Sequence, residues 1–430
     1  MSLTRRTILQ MIPAAAAISM MPRVKGAEPH QVVVVGGGFA GATLAKYLKL
    51  WGGAAIDVTL VEPRVRHVSC IMSNLVLNGR LRISDLAFDY GALQNRYGVR
   101  VLQDRAQRVN GPGKEVKLKA GGWLSYDSLV LAAGIRFDRI EGLTSYREIP
   151  HAWIAGGQTN LLRDQIAAMA AGDTFVMSIP EKPYRCPPGP YERACLVADI
   201  LKRRGGGRVV VLDANDGIQA EKETFTRAFT GLYGDIIEYR PLERVTGVVP
   251  ESKTVYTEKL DAQGNRVSED SASGKVVNLI PRHGAPGLLV SSGLTAGSRW
   301  APVDPVTYGS TLEQFPGVYV IGDSQGTAQP KSGHMANSQA KVCADAIIRR
   351  AAGLPVDSDE RLDNITTNSA CFSPITATQA SWLTAVYRYN RDAGQMALVP
   401  GSLGEAHSWN SEHFEEMFDW SQNLFADTFS

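Results

Sequence analysis

The chain has no surplus of either charge. Its 45 Lys and Arg face 43 Asp and Glu, and a formal net charge of +2 is too small for the electrostatic footprint of a nucleic-acid binder. Charged residues make up 20% and hydrophobic ones 44%; with 42 Gly and 22 Pro this is a globular composition, which excludes disordered, fibrous and collagen-like chains. Long apolar runs are missing too. The run from Ile8 to Met21 is shorter than the roughly 20 residues of a membrane helix, so stable membrane insertion is not expected. None of the five cysteines lies in C-x-x-C-H, which argues against covalently held haem, and no Cys/His cluster has zinc spacing, so no metal site is expected. With 430 residues there is room for two to four domains.

Residues 1–27 read as an export signal. Thr4-Arg5-Arg6-Thr7-Ile8-Leu9 sets a twin-arginine pair ahead of the short apolar run, and Lys25-Gly26-Ala27 ends in the small residues that a signal peptidase prefers. Cleavage near Ala27 and a periplasmic location are the expectation. The leader holds Arg5, Arg6, Arg23 and Lys25 and no acid, leaving 41 basic against 43 acidic residues in the remainder. The twin-arginine route carries folded proteins, which suits one that receives a redox cofactor before export.

The next segment carries a nucleotide signature. Val32–Val35 is a β-branched run that meets Gly36-Gly37-Gly38-Phe39-Ala40-Gly41, a strand entering G-x-G-x-x-G, and helical spacing of Ala42, Leu44, Ala45, Leu48 and Leu50 follows. Gly36 permits the tight turn, Gly38 lets the backbone approach a pyrophosphate, and Gly41 allows close helix packing. A second strand, Ile56–Val61, ends at Glu62, at the offset expected for the acid that binds ribose hydroxyls. Two later segments point to FAD rather than NAD: the apolar strand from Ser128 ends in Ala132-Ala133-Gly134, and Val318-Tyr319-Val320-Ile321 ends in Gly322-Asp323. Such an aspartate lies beside the ribityl and phosphate end of FAD in two-domain flavin reductases. The FAD domain is therefore expected to be discontinuous, with a second domain inserted.

The insert lacks a second glycine fingerprint. Between a strand at Thr174–Ile179 and a helix over 194–203 the sequence predicts a turn, Pro180 to Glu192, whose prolines have no N–H to offer a pyrophosphate. Nicotinamide is not the expected electron source. Gly205–Gly207 precede the strand at Arg208 and read as a helix stop. Cys186 stands in the proline turn, just ahead of a helix N-terminus, where the dipole is expected to lower its pKa and favour a thiolate.

Arg185-Cys186-Pro187-Pro188-Gly189-Pro190-Tyr191-Glu192-Arg193-Ala194, with Val68-Ser69-Cys70-Ile71-Met72-Ser73-Asn74, Pro330-Lys331-Ser332-Gly333 and the closing Asp427-Thr428-Phe429, resembles the flavoprotein subunits of flavocytochrome c sulfide dehydrogenases. The similarity runs from about Gln31 to the C-terminus, loosely over residues 213–280. It implies a thioether from Cys70 to the 8α-methyl of FAD. It also implies a redox disulfide between Cys186 and Cys371 over the isoalloxazine, a proton-handling Glu192, and a c-type cytochrome partner receiving electrons from sulfide. Arg66-His67 departs from the more aromatic lead-in to the flavin-linked cysteine that the family has, and Asp357 to Ala370 is polar and irregular. A purely structural Cys186–Cys371 bridge is the plainer alternative.

The fold class that follows is α/β, glutathione-reductase-like: two Rossmann-like dinucleotide-binding domains plus a C-terminal α+β domain. The boundaries are 28–142 and 281–356 for the FAD domain, 143–280 for the insert and 357–430 for the last domain. Lys331-Ser332-Gly333 precedes a helix predicted over 337–350, whose N-terminus can face reduced flavin, although a plain helix start fits as well. Cys195 and Cys343 read as small core residues, and His67, His151 and His334 as ordinary hydrogen-bonded histidines. Trp409, Phe414, Phe418, Trp420 and Phe425, interleaved with Glu412, Glu415, Glu416 and Asp419, suit domain packing or a partner surface. Two other functions share these features: a sulfide:quinone oxidoreductase docked on a bilayer, and an accessory flavoprotein regenerating a sulfur-carrier thiol.

Overall fold

The structure is a computed structural model that describes residues 28–430; the export signal expected over 1–27 lies outside them. The β-branched run is buried on both faces, as a strand covered by helices requires: Val32, Val33, Val34 and Val35 are 6% exposed or less. It occupies the middle of a five-stranded parallel sheet ordered Val318–Val320, Ser128–Leu131, His30–Val35, Ile56–Val61, Arg100–Leu102. The strand near residue 318 thus pairs with the one near 128, and the first domain is discontinuous. The helices Phe39–Gly52 and Gly333–Ala351 share one core on this sheet.

The insert forms a second parallel sheet ordered Ile237–Pro241, Arg208–Asp213, Thr174–Ile179, Val276–Leu279. An antiparallel three-stranded sheet follows from its edge, Glu243–Val249, Thr254–Leu260 and Arg266–Ser273. The fold class is the expected one, with two Rossmann-like domains and a C-terminal α+β unit.

That last unit pairs Thr366–Pro374 with Ala380–Asn390 and adds Gln395–Leu398 and Gly404–Glu405 before the helix Ser411–Phe429. The stretch Asp357 to Ala370, irregular by its sequence, holds the helix Asp359–Asn364 and the first half of that leading strand. Its inward residues are small and polar: Thr367, Ser369 and Ser373 are buried, so the period-two pattern is present without the hydrophobicity that would announce it.

The C-terminal helix folds back onto the first domain. Phe414, Met417, Phe425 and Phe429 are its buried face. Phe429 stacks on Phe88 at 5.0 Å between ring centroids and on His67 at 5.3 Å, and meets Phe39 edge-on at 5.7 Å. His67 thus supplies the aromatic surface that its sequence context lacked. Lys46 Nζ donates to the carbonyls of Ala426, Asp427 and Ser430 at 3.1, 3.0 and 2.6 Å, placing a cation on the unsatisfied C-terminal end of the helix. Of the two roles expected for these aromatics, domain packing is the one the structure displays. Phe429→Ala should remove about 3–5 kcal/mol of packing. The thermal unfolding midpoint should fall by several degrees, whereas Leu403→Ala, at a side chain 55% exposed, should leave it unchanged.

Candidate active site

The first site element is the turn between His30–Val35 and the helix at Phe39. Gly36 has φ +103°, and a Cβ there would lie 2.4 Å from the Ala132 carbonyl oxygen, so only glycine lets the two strand ends approach. Gly38 is the N-cap of the helix, and Gly41, in its first turn, packs against the Gly36 carbonyl. Glu62 accepts the Gly37 N–H at 2.8 Å and the Arg64 N–H at 3.0 Å, which holds the acid against the glycine turn. Across the sheet, the Gly134 carbonyl accepts the Ser324 hydroxyl at 2.6 Å, which draws the Gly322–Ser324 turn to the same sheet end.

Asp323 in that turn has a buried Oδ1 without a hydrogen-bond partner, and burial holds its carboxyl above the usual carboxylate range. An acceptor left open at the strand ends, beside a glycine turn with no room for side chains, fits a hydroxyl-rich dinucleotide such as FAD. Lys331 lies against the same turn. Its ammonium donates to the carbonyls of Asp323 and Gln325 at 2.8 and 2.7 Å and lies 3.8 Å from the Trp300 ring centroid. It therefore clamps the Asp323 turn, and burial pulls its pKa down to about 8. Ser332 caps the following helix by accepting the Met335 N–H at 3.1 Å, and the helix begins at Gly333, four residues before the predicted start.

The second element is the proline loop. Its helix runs Gly189–Arg203, five residues longer at the front than expected, because Pro190 falls in the first turn, where a missing N–H costs nothing. Glu192 is thereby a first-turn helical residue. Cys186 has φ +59°, a left-handed conformation uncommon for a side-chain-bearing residue, and its N–H donates to the Lys331 carbonyl at 2.7 Å. Gly189 makes the bend possible: a Cβ there would lie 2.9 Å from both Cys186 Sγ and the Trp153 ring.

Cys70, Cys186, Glu192 and Cys371 line one cavity, together with Arg185, Trp153, Gly333 and Trp420. Cys70 sits in a turn whose carbonyl accepts the Ser73 N–H and hydroxyl at 3.1 and 2.7 Å. Gly36, Gly38, Gly41, Glu62, Gly134, Gly322 and Asp323 lie outside that wall, at the sheet ends. Cys186 and Cys371 are free thiols here, so the implied disulfide is not formed in this structure. Cys195 and Cys343 are fully buried core residues.

Desolvation dominates the chemistry of the cavity. Cys186 was expected to ionise easily; instead burial, reinforced by the neighbouring Cys371 and Glu192, pushes its thiol well above the ordinary value, outweighing Arg185. The helix dipole acts only within the first turn, and Cys186 lies ahead of it. Burial likewise pushes Cys371 up to about 12. Glu192 is pushed up to about 8, restrained by the amide of Asn74, which donates to its Oε1 at 2.9 Å. Asn74 also accepts from Arg193 Nε at 2.9 Å; the other Arg193 donors go to the carbonyls of His151 and Ala152 and to Asn278 Oδ1. Arg193 is 1% exposed, with its guanidinium 4.9 Å from the Trp153 centroid.

Asn74 and Arg193 were quoted in the sequence motifs without a role, and nothing in their spacing announces that they meet. His334 accepts the Ala370 N–H at 3.0 Å and the Trp420 indole N–H at 3.4 Å; burial lowers its pKa to about 4, which keeps it a neutral acceptor. His151 accepts the Trp153 N–H at 2.9 Å and is likewise lowered to about 4 by burial.

Two dinucleotide-type domains, a glycine turn, and a cavity bearing thiols from distant segments define a flavoprotein of the disulfide-oxidoreductase class. Residues 30–152 match the family described as pyridine nucleotide-disulphide oxidoreductase. Residues 159–281 match the central domain of the sulfide dehydrogenase (flavocytochrome c) flavoprotein chain, and 364–429 the flavin-binding domain of flavocytochrome c sulphide dehydrogenase. The chain belongs to the flavocytochrome c sulfide dehydrogenase flavoprotein family.

A sulfide dehydrogenase flavoprotein chain of Chlorobaculum thiosulfatiphilum is 56% identical over 46 residues, 11% of this chain and 94% of that one. Mitochondrial sulfide:quinone oxidoreductase of Mus musculus is 24% identical over 315 residues, 68% of this chain and 65% of that protein, just under two thirds of its length. Among solved structures, the sulfide:quinone oxidoreductase of Aquifex aeolicus superposes with a TM-score of 0.74 at 16% identity, covering 93% of this chain and 92% of that one. Gly38→Ala, whose Cβ would meet nothing nearer than the His67 ring at 3.6 Å, should leave circular dichroism unchanged and lower the flavin content of the purified protein, read as the ratio of flavin to protein absorbance.

Proposed function

We propose that the chain oxidises sulfide to zero-valent sulfur or polysulfide through a Cys186–Cys371 pair, as the flavoprotein partner of a periplasmic c-type cytochrome. The observation that carries this reading is the shared cavity: two cysteines 185 residues apart line it with Glu192 and Cys70, and one of them, Cys186, occupies the loop where a nicotinamide-using relative would need a glycine turn. FAD would be held by the Gly36–Gly41 turn, Glu62 and the Asp323 turn and linked through Cys70, and when bound it would supply the two-electron oxidising capacity that the thiol pair needs.

The chain's own part is thiol exchange. Hydrosulfide is a soft nucleophile, and a disulfide in the cavity offers it an electrophilic sulfur. Attack forms one S–S bond and breaks another, leaving a persulfide on one cysteine and a thiolate on the other. A second hydrosulfide attacking the outer persulfide sulfur releases a disulfane and leaves the pair reduced. Since burial disfavours either thiolate so strongly, each must be met by a proton. Glu192, protonated up to about pH 8, is an acid suited to that transfer near neutrality.

Sulfide:quinone oxidoreductase activity is the second reading, favoured by the mouse and Aquifex relatives. Among the described residues no helix is long and apolar enough to cross a membrane. Preference for cytochrome c over a soluble quinone, with no binding to liposomes, supports the first reading; the reverse supports the second.

Cys371→Ser should abolish reduction of the flavin by sulfide while the flavin stays with the Cys70 peptide after denaturation. Unchanged reduction would remove the thiol pair from the reaction. The rate of reduction should fall above about pH 8 as Glu192 ionises. Glu192→Gln should be slow throughout and lack that limb. Asn74→Ala, by removing the bond that restrains Glu192, should move the limb to higher pH in stopped-flow measurements.

A further inference from the structure

The second strand of each dinucleotide-type sheet leads to an acid, and the two acids have different partners. Glu62, after Ile56–Val61, meets the glycine turn and stays partly exposed. Asp213, the last residue of Arg208–Asp213, is 0% exposed. Its Oδ2 accepts the Tyr191 hydroxyl at 2.8 Å and the Tyr239 hydroxyl at 2.7 Å, and its Oδ1 accepts the backbone and side-chain N–H groups of Asn215 at 2.9 and 2.7 Å. Burial raises the carboxyl, and these same bonds oppose the shift. An acid in this place of a nucleotide-binding sheet binds ribose hydroxyls; here the chain's own hydroxyls and amide fill its lone-pair positions.

These bonds fasten both ends of the Cys186 loop. Asp213 pairs with Ile179 in the sheet, so it stands where the loop leaves its strand. Asn215, held by Asp213, donates to the Pro180 carbonyl at 3.0 Å and accepts the Lys182 N–H at 3.0 Å. Tyr191, fully buried, ties in the first turn of the helix Gly189–Arg203 on the other side of Cys186. Between these anchors the Tyr184 hydroxyl donates to the Pro187 carbonyl at 3.1 Å, next to Cys186, and lies 3.5 Å from the Tyr191 hydroxyl. One buried carboxyl thus closes a ring of contacts around residues 180–191.

We infer that Asp213 is a positioning residue that holds Cys186 for its bond to Cys371: an acid at the ribose-binding place of the fold, turned inward to fasten the redox loop. This rests on the thiol-pair reading above. The effect is entropic. Closing a disulfide fixes both cysteines, and a loop already fastened at Pro180, Lys182, Pro187 and Tyr191 has less freedom left to lose, so the effective concentration of Cys186 at Cys371 rises. The Cys186 N–H bond to the Lys331 carbonyl holds the tip of the loop from the first domain, and the Asp213 bonds hold its base from the insert. The same bonds leave this acid nothing to offer a nucleotide ribose, in agreement with a loop that has no glycine turn for a pyrophosphate.

Tyr191 and Tyr239 supply the test, because both donate to Asp213 Oδ2 and only Tyr191 belongs to the loop helix. The measurement is the equilibrium of the Cys186–Cys371 disulfide with dithiothreitol in the holoprotein, read by mass spectrometry of the two cysteine peptides after quenching with an alkylating agent. Tyr191→Phe should shift it about tenfold towards the dithiol, the effect of one hydrogen bond to a charged group. Tyr239→Phe, which removes a bond of the same kind from the fold, should leave it unchanged. Asp213→Ala should shift it at least as far as Tyr191→Phe, and combining the two should add nothing, since both remove one bond. No shift in Tyr191→Phe, or equal shifts in the two tyrosine variants, overturns the inference. If the native pair never cross-links, the thiol-pair reading falls, and alkylation of Cys186 by iodoacetamide in the reduced holoprotein decides the role of Asp213 by itself. A rate about tenfold higher in Tyr191→Phe alone, from a loop that opens more often, supports it, and a rate equal to the native one overturns it.

Discussion

The hydrogen bond from the Cys186 amide to the Lys331 carbonyl, 2.7 Å long, joins the proline loop of the inserted domain to the returning half of the first domain. The cavity depends on that junction. It holds Cys186 in its left-handed turn, directly before the Pro187–Pro190 corner, and it sets the loop against Ser332 and Gly333. The Ser332 hydroxyl in turn meets that of Ser369 at 2.9 Å, which registers the strand bearing Cys371. Three segments far apart in the chain are thus aligned by bonds among backbone and small hydroxyls, leaving the thiols themselves free of structural duty.

Closure of these segments also sets the electrostatics. A wall of Trp153, Trp420 and backbone gives the ionisable groups little solvent, so desolvation outweighs individual charges for both thiols and for Glu192. Carboxyls move up towards neutrality and thiols away from it. Acids that hold a proton near pH 7 stand beside sulfurs that need one, which is the combination thiol exchange in a dry cavity requires. Arg193 is the counterweight: a fully buried guanidinium whose donors are met by carbonyls and amides, and which is linked through Asn74 to Glu192.

The parts legible in the sequence were those with a local signature. Valine runs announced the strands at 32–35 and 208–212, and the glycine turn with Glu62 announced the nucleotide end of the sheet, because strand burial and tight turns impose composition over a few residues. The start of the helix at Gly189 was missed because prolines read as a loop, although Pro190 suits a first turn. The thiol strand Thr366–Pro374 was hidden because its inward residues are Ser and Thr. The acidity of Cys186 was misjudged for a different reason: proximity to a helix is written in the sequence, whereas burial, reinforced by the charges of Cys371 and Glu192, is a property of the assembled fold.

The most direct measurement of the central claim is mass spectrometry of the Cys186 and Cys371 peptides from protein quenched shortly after anaerobic addition of one equivalent of sulfide to the oxidised form. The account predicts that a cross-linked peptide present before addition is replaced by a pair in which one cysteine has gained the mass of a single sulfur atom. Flavin reduction with both cysteines unmodified and never cross-linked would contradict it.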